Sequence, residues 1–177
     1  MSNENQLQKQ LLLKLMIHNY DEEVHRNELV DSKNSQMIVL TGAMLTLQAT
    51  LFSNILVDNI ISNCYIEFHW KVLASFFMII SLILYTISAY LFIQAYTFKK
   101  TFRSAPSTKL LMYYKENECE YLKNIDDLLE EFKDTINFNE NLINDKVAKG
   151  KEGFDFLKVS IVFTVLLLIV ILVVLFL

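Results

Sequence analysis

Turn-forming residues are almost missing from this sequence. Three glycines and one proline in 177 residues are too few for an all-β sandwich or barrel, whose tight turns depend on them. There is no Gly-rich loop of the kind that cradles phosphates in nucleotide-binding α/β folds. Two cysteines, Cys64 and Cys119, cannot frame a disulfide-stapled domain. An excess of positive charge is missing too. Sixteen Lys and Arg against 20 Asp and Glu give a net charge of −4, so nucleic acid is not an expected partner. The sequence holds no P-loop, dinucleotide fingerprint, nucleophile elbow or zincin motif, and no nucleophile–base pair at a recognisable spacing. These absences point to a protein that is not an enzyme and carries no resident metal or cofactor.

What the sequence has is long uncharged apolar runs. Met37 to Val57, Val72 to Phe98 and Val159 to Leu177 contain no Asp, Glu, Lys, Arg or His. A helix needs about 20 residues to cross a hydrocarbon core of about 30 Å. Backbone groups in lipid must be satisfied within the segment, so each run is expected to be a helix. The predicted fold is all-α: three transmembrane helices with a cytoplasmic helical bundle. The expected organisation is a cytoplasmic amphipathic helix over 1–36, spans over 37–57 and 72–98 joined by an outer loop over 58–71, a cytoplasmic helical segment over 99–158, and a last span over 159–177. Residues 1–10 are polar and the stretch Leu11 to Ile17 is short and broken by Lys14, so a cleaved signal peptide is not expected. Residues 1–36 and 99–158 together hold 15 of the 16 Lys and Arg, and the 58–71 loop holds only Lys71. The positive-inside rule then places the N-terminus in the cytoplasm and the C-terminus outside.

The first span has two polar stripes. Gly42, Thr46 and Thr50 recur every fourth residue and Ala49 and Ser53 widen their face. This small-xxx-small pattern lets helix backbones approach closely. It serves either packing within the chain or a homo-oligomer interface. Thr41 and Gln48 form the second stripe, and a Gln in hydrocarbon calls for a partner. In the second span Ser81, Tyr85 and Ser88 share a face. The third span, beyond Ser160 and Thr164, is apolar all round, so spans one and two are expected to make the protein contacts and span three to pack at the periphery. The lack of charge in any span argues against a proton relay, a voltage sensor or a charged selectivity ring.

Outside the spans, Leu7, Leu11, Leu15, His18, Glu22, His25 and Leu29 step by three or four and predict an amphipathic helix whose face meets the other cytoplasmic segment. No Pro or Gly separates this helix from the first span. The second segment starts after Ser104-Ala105-Pro106 and keeps a 3–4 spacing from Leu111 to Val147. A straight helix and a hairpin broken near 137–141 both fit, and Gly150 and Gly153 are expected to interrupt it before the last span. His18, Glu22 and His25 read as a solvated face more readily than as metal ligands. Asp126, Asp127, Glu130, Glu131 and Asp134 form either a solvated face or a docking surface for a basic partner. Lys99, Lys100, Lys146, Lys149, Lys151, Lys158 and Arg103 serve as orientation signals or as contacts to anionic headgroups. Cys64 is expected outside and Cys119 inside, so they cannot pair with each other, and a Cys64–Cys64 link across a dimer is conceivable.

The stretch Arg26 to Leu51, RNELVDSKNSQMIVLTGAMLTLQATL, resembles the start of the Pycsar transmembrane effector family and of related SLATT-type effectors from bacterial defence operons. In these an Arg precedes an Asp-x-Lys-x-Ser element, here Arg26, Asp31, Lys33 and Ser35, and a span rich in small residues follows at once. The chain departs at Asn34, where the family often has Ala. Asn141 and Lys146 stand where the family has an Asn and a Lys before its last span. The resemblance implies an effector in the inner membrane, triggered by a nucleotide second messenger (a cyclic nucleotide ligand) from a cognate cyclase or by a partner. It would oligomerise, disrupt the bilayer and stop phage growth by killing or arresting the cell. Arg26, Asp31, Lys33 and Ser35 become its ligand or switch residues. The alternative is a non-lytic membrane adaptor or accessory subunit that recruits a cytosolic partner through its helical bundle.

Overall fold

A computed structural model describes residues 3–53, 68–97, 102–104 and 121–176. All of these are helical except 102–104. The described residues form three helices: α1 (Asn3–Thr50), α2 (Phe68–Thr97) and α3 (Tyr121–Phe176). Each contains a stretch long and apolar enough to cross a membrane. Helix α1 runs from the polar N-terminal region into the first apolar run without a break, as the lack of Pro and Gly predicts. Helix α3 corrects one expectation. It is continuous through 137–141 and through Gly150 and Gly153. A Gly costs a helix only about 1 kcal/mol, and tertiary contacts offset that. The start of the second cytoplasmic segment (including Leu111 and Tyr114), most of the outer loop, Cys64, Cys119, Lys99 and Lys100 lie outside the described residues.

The chain divides into two compact units. One comprises Met1–Asp31 and Phe98–Lys146, the other Ser32–Thr97 and Val147–Leu177. In the first, α1 and α3 run parallel, because their cross-links join residues separated by 115 to 119 positions. Its core is Ile125, Leu128, Phe132 and Ile143 of α3, with Tyr20 of α1 set edge-on to Phe132 at 6.2 Å between ring centroids. The stripe from Leu7 to Leu29 does not face α3 and is exposed. Asn27 and Asp31 are the buried residues of α1 in this unit. Half-buried Leu13, Met16, Ile17, Tyr20 and Val24 lie on the inward side with them, so α1 packs through a different apolar stripe, and the two polar residues at its end are buried because α3 supplies a partner there.

In the second unit α2 runs antiparallel to α3. Its buried residues are Ala74, Met78, Ser81, Tyr85, Ser88, Phe92 and Ala95. Ala74, Ser81, Ser88 and Ala95 recur every seventh residue and are all small, which allows close approach. Met78, Tyr85 and Phe92 alternate with them and fill the space beside the contact. Leu157, Leu167, Val170 and Ile171 of α3 complete two apolar clusters with them. The third span is therefore central rather than peripheral: 39% of its most apolar stretch is buried, against 28% in α2 and 11% in α1. Beyond Ser160 and Thr164 the span is apolar on every side and can pack any of its faces, so its composition there carried no information about its neighbours.

Candidate functional site

Among the described residues, each unit contains a buried polar cluster that joins α3 to α1. In the first unit, Lys146 is fully buried and its Nζ donates to Asn27 Oδ1 at 2.6 Å and to Asp31 Oδ1 at 2.9 Å. Asp31 is 5% exposed. Asn27 Nδ2 also donates to Asp31 Oδ2, at 3.5 Å. Burying a charge is costly unless a counter-charge and hydrogen bonds come with it, and here both do. Asn27 and Asp31 lie one turn apart on α1, so both side chains point the same way. Arg26 lies on the exposed flank and donates to Asn144 Oδ1 at 2.9 Å, with a weaker contact to Glu23. Thus, of the four expected ligand or switch residues, Asp31 is inside and Arg26 is at the rim. Lys33 and Ser35, in the second unit, are exposed. Asn141 is exposed and Lys146 is the centre of the first cluster. Asn27 escaped sequence reasoning, although its position four residues before Asp31 was a usable signal.

The first unit also anchors residues 102–104. The buried Asn139 side chain accepts from the Arg103 N–H and donates to the Arg103 carbonyl, both at 2.9 Å. The Arg103 guanidinium lies over the Phe138 ring at 4.0 Å. An open groove of about 690 Å³ is lined by Phe102, Arg103, Ser104, Asp127, Glu130, Glu131, Asp134 and Thr135. Asp126, the remaining member of the acidic run, pairs with Lys9. No three His, Cys, Asp or Glu side chains among the described residues could hold a metal ion. His18 and Glu22 are a surface pair at 3.4 Å.

In the second unit the polar cluster lies among apolar side chains. Gln48 Nε2 donates to Thr164 Oγ1 at 2.5 Å. Thr164 Oγ1 donates to the Ser160 carbonyl at 3.0 Å. Its proton is thereby committed, so Tyr85 is the donor in the 3.1 Å contact between the two hydroxyls. Thr41 and Ser81 bond to carbonyls of their own helices. Ser88 donates across to the Gly153 carbonyl at 2.8 Å. Such bonds let hydroxyls lie in an apolar interior without orphaned donors. Two atoms are left over: Gln48 Oε1 and Asn34 Nδ2 are buried with no partner. Gly150 makes room for Asn34, whose Oδ1 lies 2.8 Å from where a Cβ at that position would stand.

The two stripes of the first span have separate fates. Thr41 and Gln48 are fully buried against the chain itself. Gly42, Thr46, Ala49, Thr50 and Ser53 are all exposed, and a Cβ added at Gly42 meets nothing within 4 Å. Packing among the described residues of the chain therefore does not use the Gly42 face.

No family model, no curated protein and no solved structure matches this chain.

Proposed function

We propose that this chain is a multi-pass effector of the inner membrane. On this reading it oligomerises through the Gly42 face of α1 and disrupts the bilayer as part of an anti-phage defence. The observation that carries the reading is the exposure of Gly42, Thr46, Ala49, Thr50 and Ser53. In lipid there is no hydrophobic force between helices, and small residues favour helix contacts through close backbone packing. A face of that composition fits another helix better than it fits acyl chains, and nothing else among the described residues covers it. The Lys and Arg distribution supports a cytoplasmic N-terminus and an outer C-terminus. The resemblance of Arg26 to Leu51 to Pycsar and SLATT-type effectors supports a nucleotide second messenger as the trigger. Arg26, Asp31, Lys33 and Ser35 are then its ligand or switch residues.

The test is dye entry into cells on triggered expression. Gly42→Leu is expected to abolish dye entry at unchanged protein level. Full permeabilisation by that variant removes the Gly42 face from the mechanism. The acidic groove beside Arg103 favours a second reading, a non-lytic adaptor that docks a basic partner. That reading requires no change in permeability and a soluble protein that co-purifies through Glu130 and Glu131.

A further inference from the structure

In the first unit the contact between α1 and α3 is largely apolar, and apolar layers discriminate poorly between alignments. A slip of seven residues returns α3 side chains to nearly the same face. Phe132 then takes the place of Ile125, and one apolar layer replaces another. Asn139 makes no direct bond to α1, because both bonds of its amide go to the Arg103 backbone, and the one link onward, from the Tyr20 hydroxyl to the Arg103 carbonyl, is long at 3.4 Å. The Asn27–Asp31–Lys146 cluster is different. It joins α1 to α3 through a buried charge with two hydrogen bonds at 2.6 and 2.9 Å. Seven residues either side of Lys146, α3 has Asn139 and Gly153. A slip of one heptad in either direction therefore leaves Asp31 buried without a counter-charge and takes Lys146 from both its acceptors.

We infer that Asn27, Asp31 and Lys146 form a register lock, which fixes one resting alignment of α1 on α3 and whose release is the regulated step of the activity. The regulatory half rests on the effector reading above; the lock itself does not. A buried ion pair returns little stability beyond that of an apolar pair of similar volume. If cohesion were its whole role, two methionines would serve as well. What two methionines cannot do is distinguish one alignment from the next. Packed helices shift between discrete alignments rather than deforming continuously, so a lock of this kind makes the pair a two-state element.

The test uses the full chain in phosphatidylethanolamine–phosphatidylglycerol vesicles, with Cys64 and Cys119 replaced by Ser. A short bis-maleimide linker reads the alignment. K9C/D126C reports the resting one, because Lys9 and Asp126 are ion-paired, and K9C/K133C reports a slip of one heptad. The parent chain is expected to link only through the first pair. D31M/K146M is expected to keep its helicity and to raise the 9–133 product at least tenfold relative to the 9–126 product. The charge-reversed D31K/K146D is expected to restore the single alignment. If D31M/K146M links only through 9–126, the lock is overturned. Dye release from the same vesicles without any trigger tests the other half. Mixed alignments without release leave the lock standing and sink the effector reading.

Discussion

Replacing Gln48 by Leu is expected to leave the protein as stable as before or slightly more so, although it deletes a fully buried hydrogen bond between helices. The bond from Gln48 Nε2 to Thr164 Oγ1 is one side of the balance. Hydrogen bonds between membrane helices contribute about 0.6 kcal/mol on average and up to about 1.7. The other side is Gln48 Oε1, buried without a partner, which costs about 1–3 kcal/mol. Leu has a similar volume and removes both terms. Thr164 is not stranded, since it still donates to the Ser160 carbonyl and accepts from Tyr85. The net change is a gain of roughly 0–2 kcal/mol. At about 2–4 °C per kcal/mol for a chain of this size, the midpoint should rise by up to several degrees. Thr164→Val is the contrast. It orphans both Gln48 Nε2 and the Tyr85 hydroxyl and should cost about 2–4 kcal/mol. Thermal unfolding in detergent micelles, followed by circular dichroism, reads both. A loss of more than about 1 kcal/mol in Gln48→Leu would refute the reasoning, because Oε1 would then have a donor.

Three further outcomes follow from the same geometry. Gly150→Ala brings a methyl to 2.8 Å from Asn34 Oδ1. It should lower the unfolding midpoint, and adding Asn34→Ala should restore it, whereas an unrestored double variant would show that Asn34 is not what the methyl strikes. Gly153→Ala places its methyl 3.3 Å from Leu91 Cβ and the buried Phe92 ring. Overpacking outweighs the helix propensity gained, for a net loss of roughly 1–2 kcal/mol by the same assay, and a stabilised variant would show that α2 can move aside. Asn139→Ala removes the two bonds from its side-chain amide to the Arg103 backbone and leaves the longer one from the Tyr20 hydroxyl to the Arg103 carbonyl, at 3.4 Å. Hydrogen exchange at the Arg103 amide should accelerate by at least tenfold while the Tyr85 region is unchanged, and unaltered exchange at Arg103 would mean that the Tyr20 bond and the Phe138 stacking hold that segment without Asn139.

The sequence by itself settled the class of this protein. Scarce Gly and Pro removed β architectures, and three uncharged apolar runs required helices of membrane-spanning length, because length and composition alone decide whether a segment can cross hydrocarbon. It also singled out Gln48 as a residue in need of a partner, and Ser81, Tyr85 and Ser88 as one face. Which faces meet which was settled only by tertiary structure. The leucine stripe of α1 looked like its packed side, yet Asn27 and Asp31 are buried, because Lys146 lies more than a hundred residues away in sequence and no local pattern announces a distant partner. Beyond Ser160 and Thr164, which lie on its buried side, the third span gave no orientation, since a helix apolar on every side has no face that its composition prefers. Gly150 and Gly153 looked like breaks and are instead points of close approach to Asn34 and Phe92. The same absent side chain that weakens a helix locally is what lets another chain segment come near, and only the neighbour determines which effect prevails.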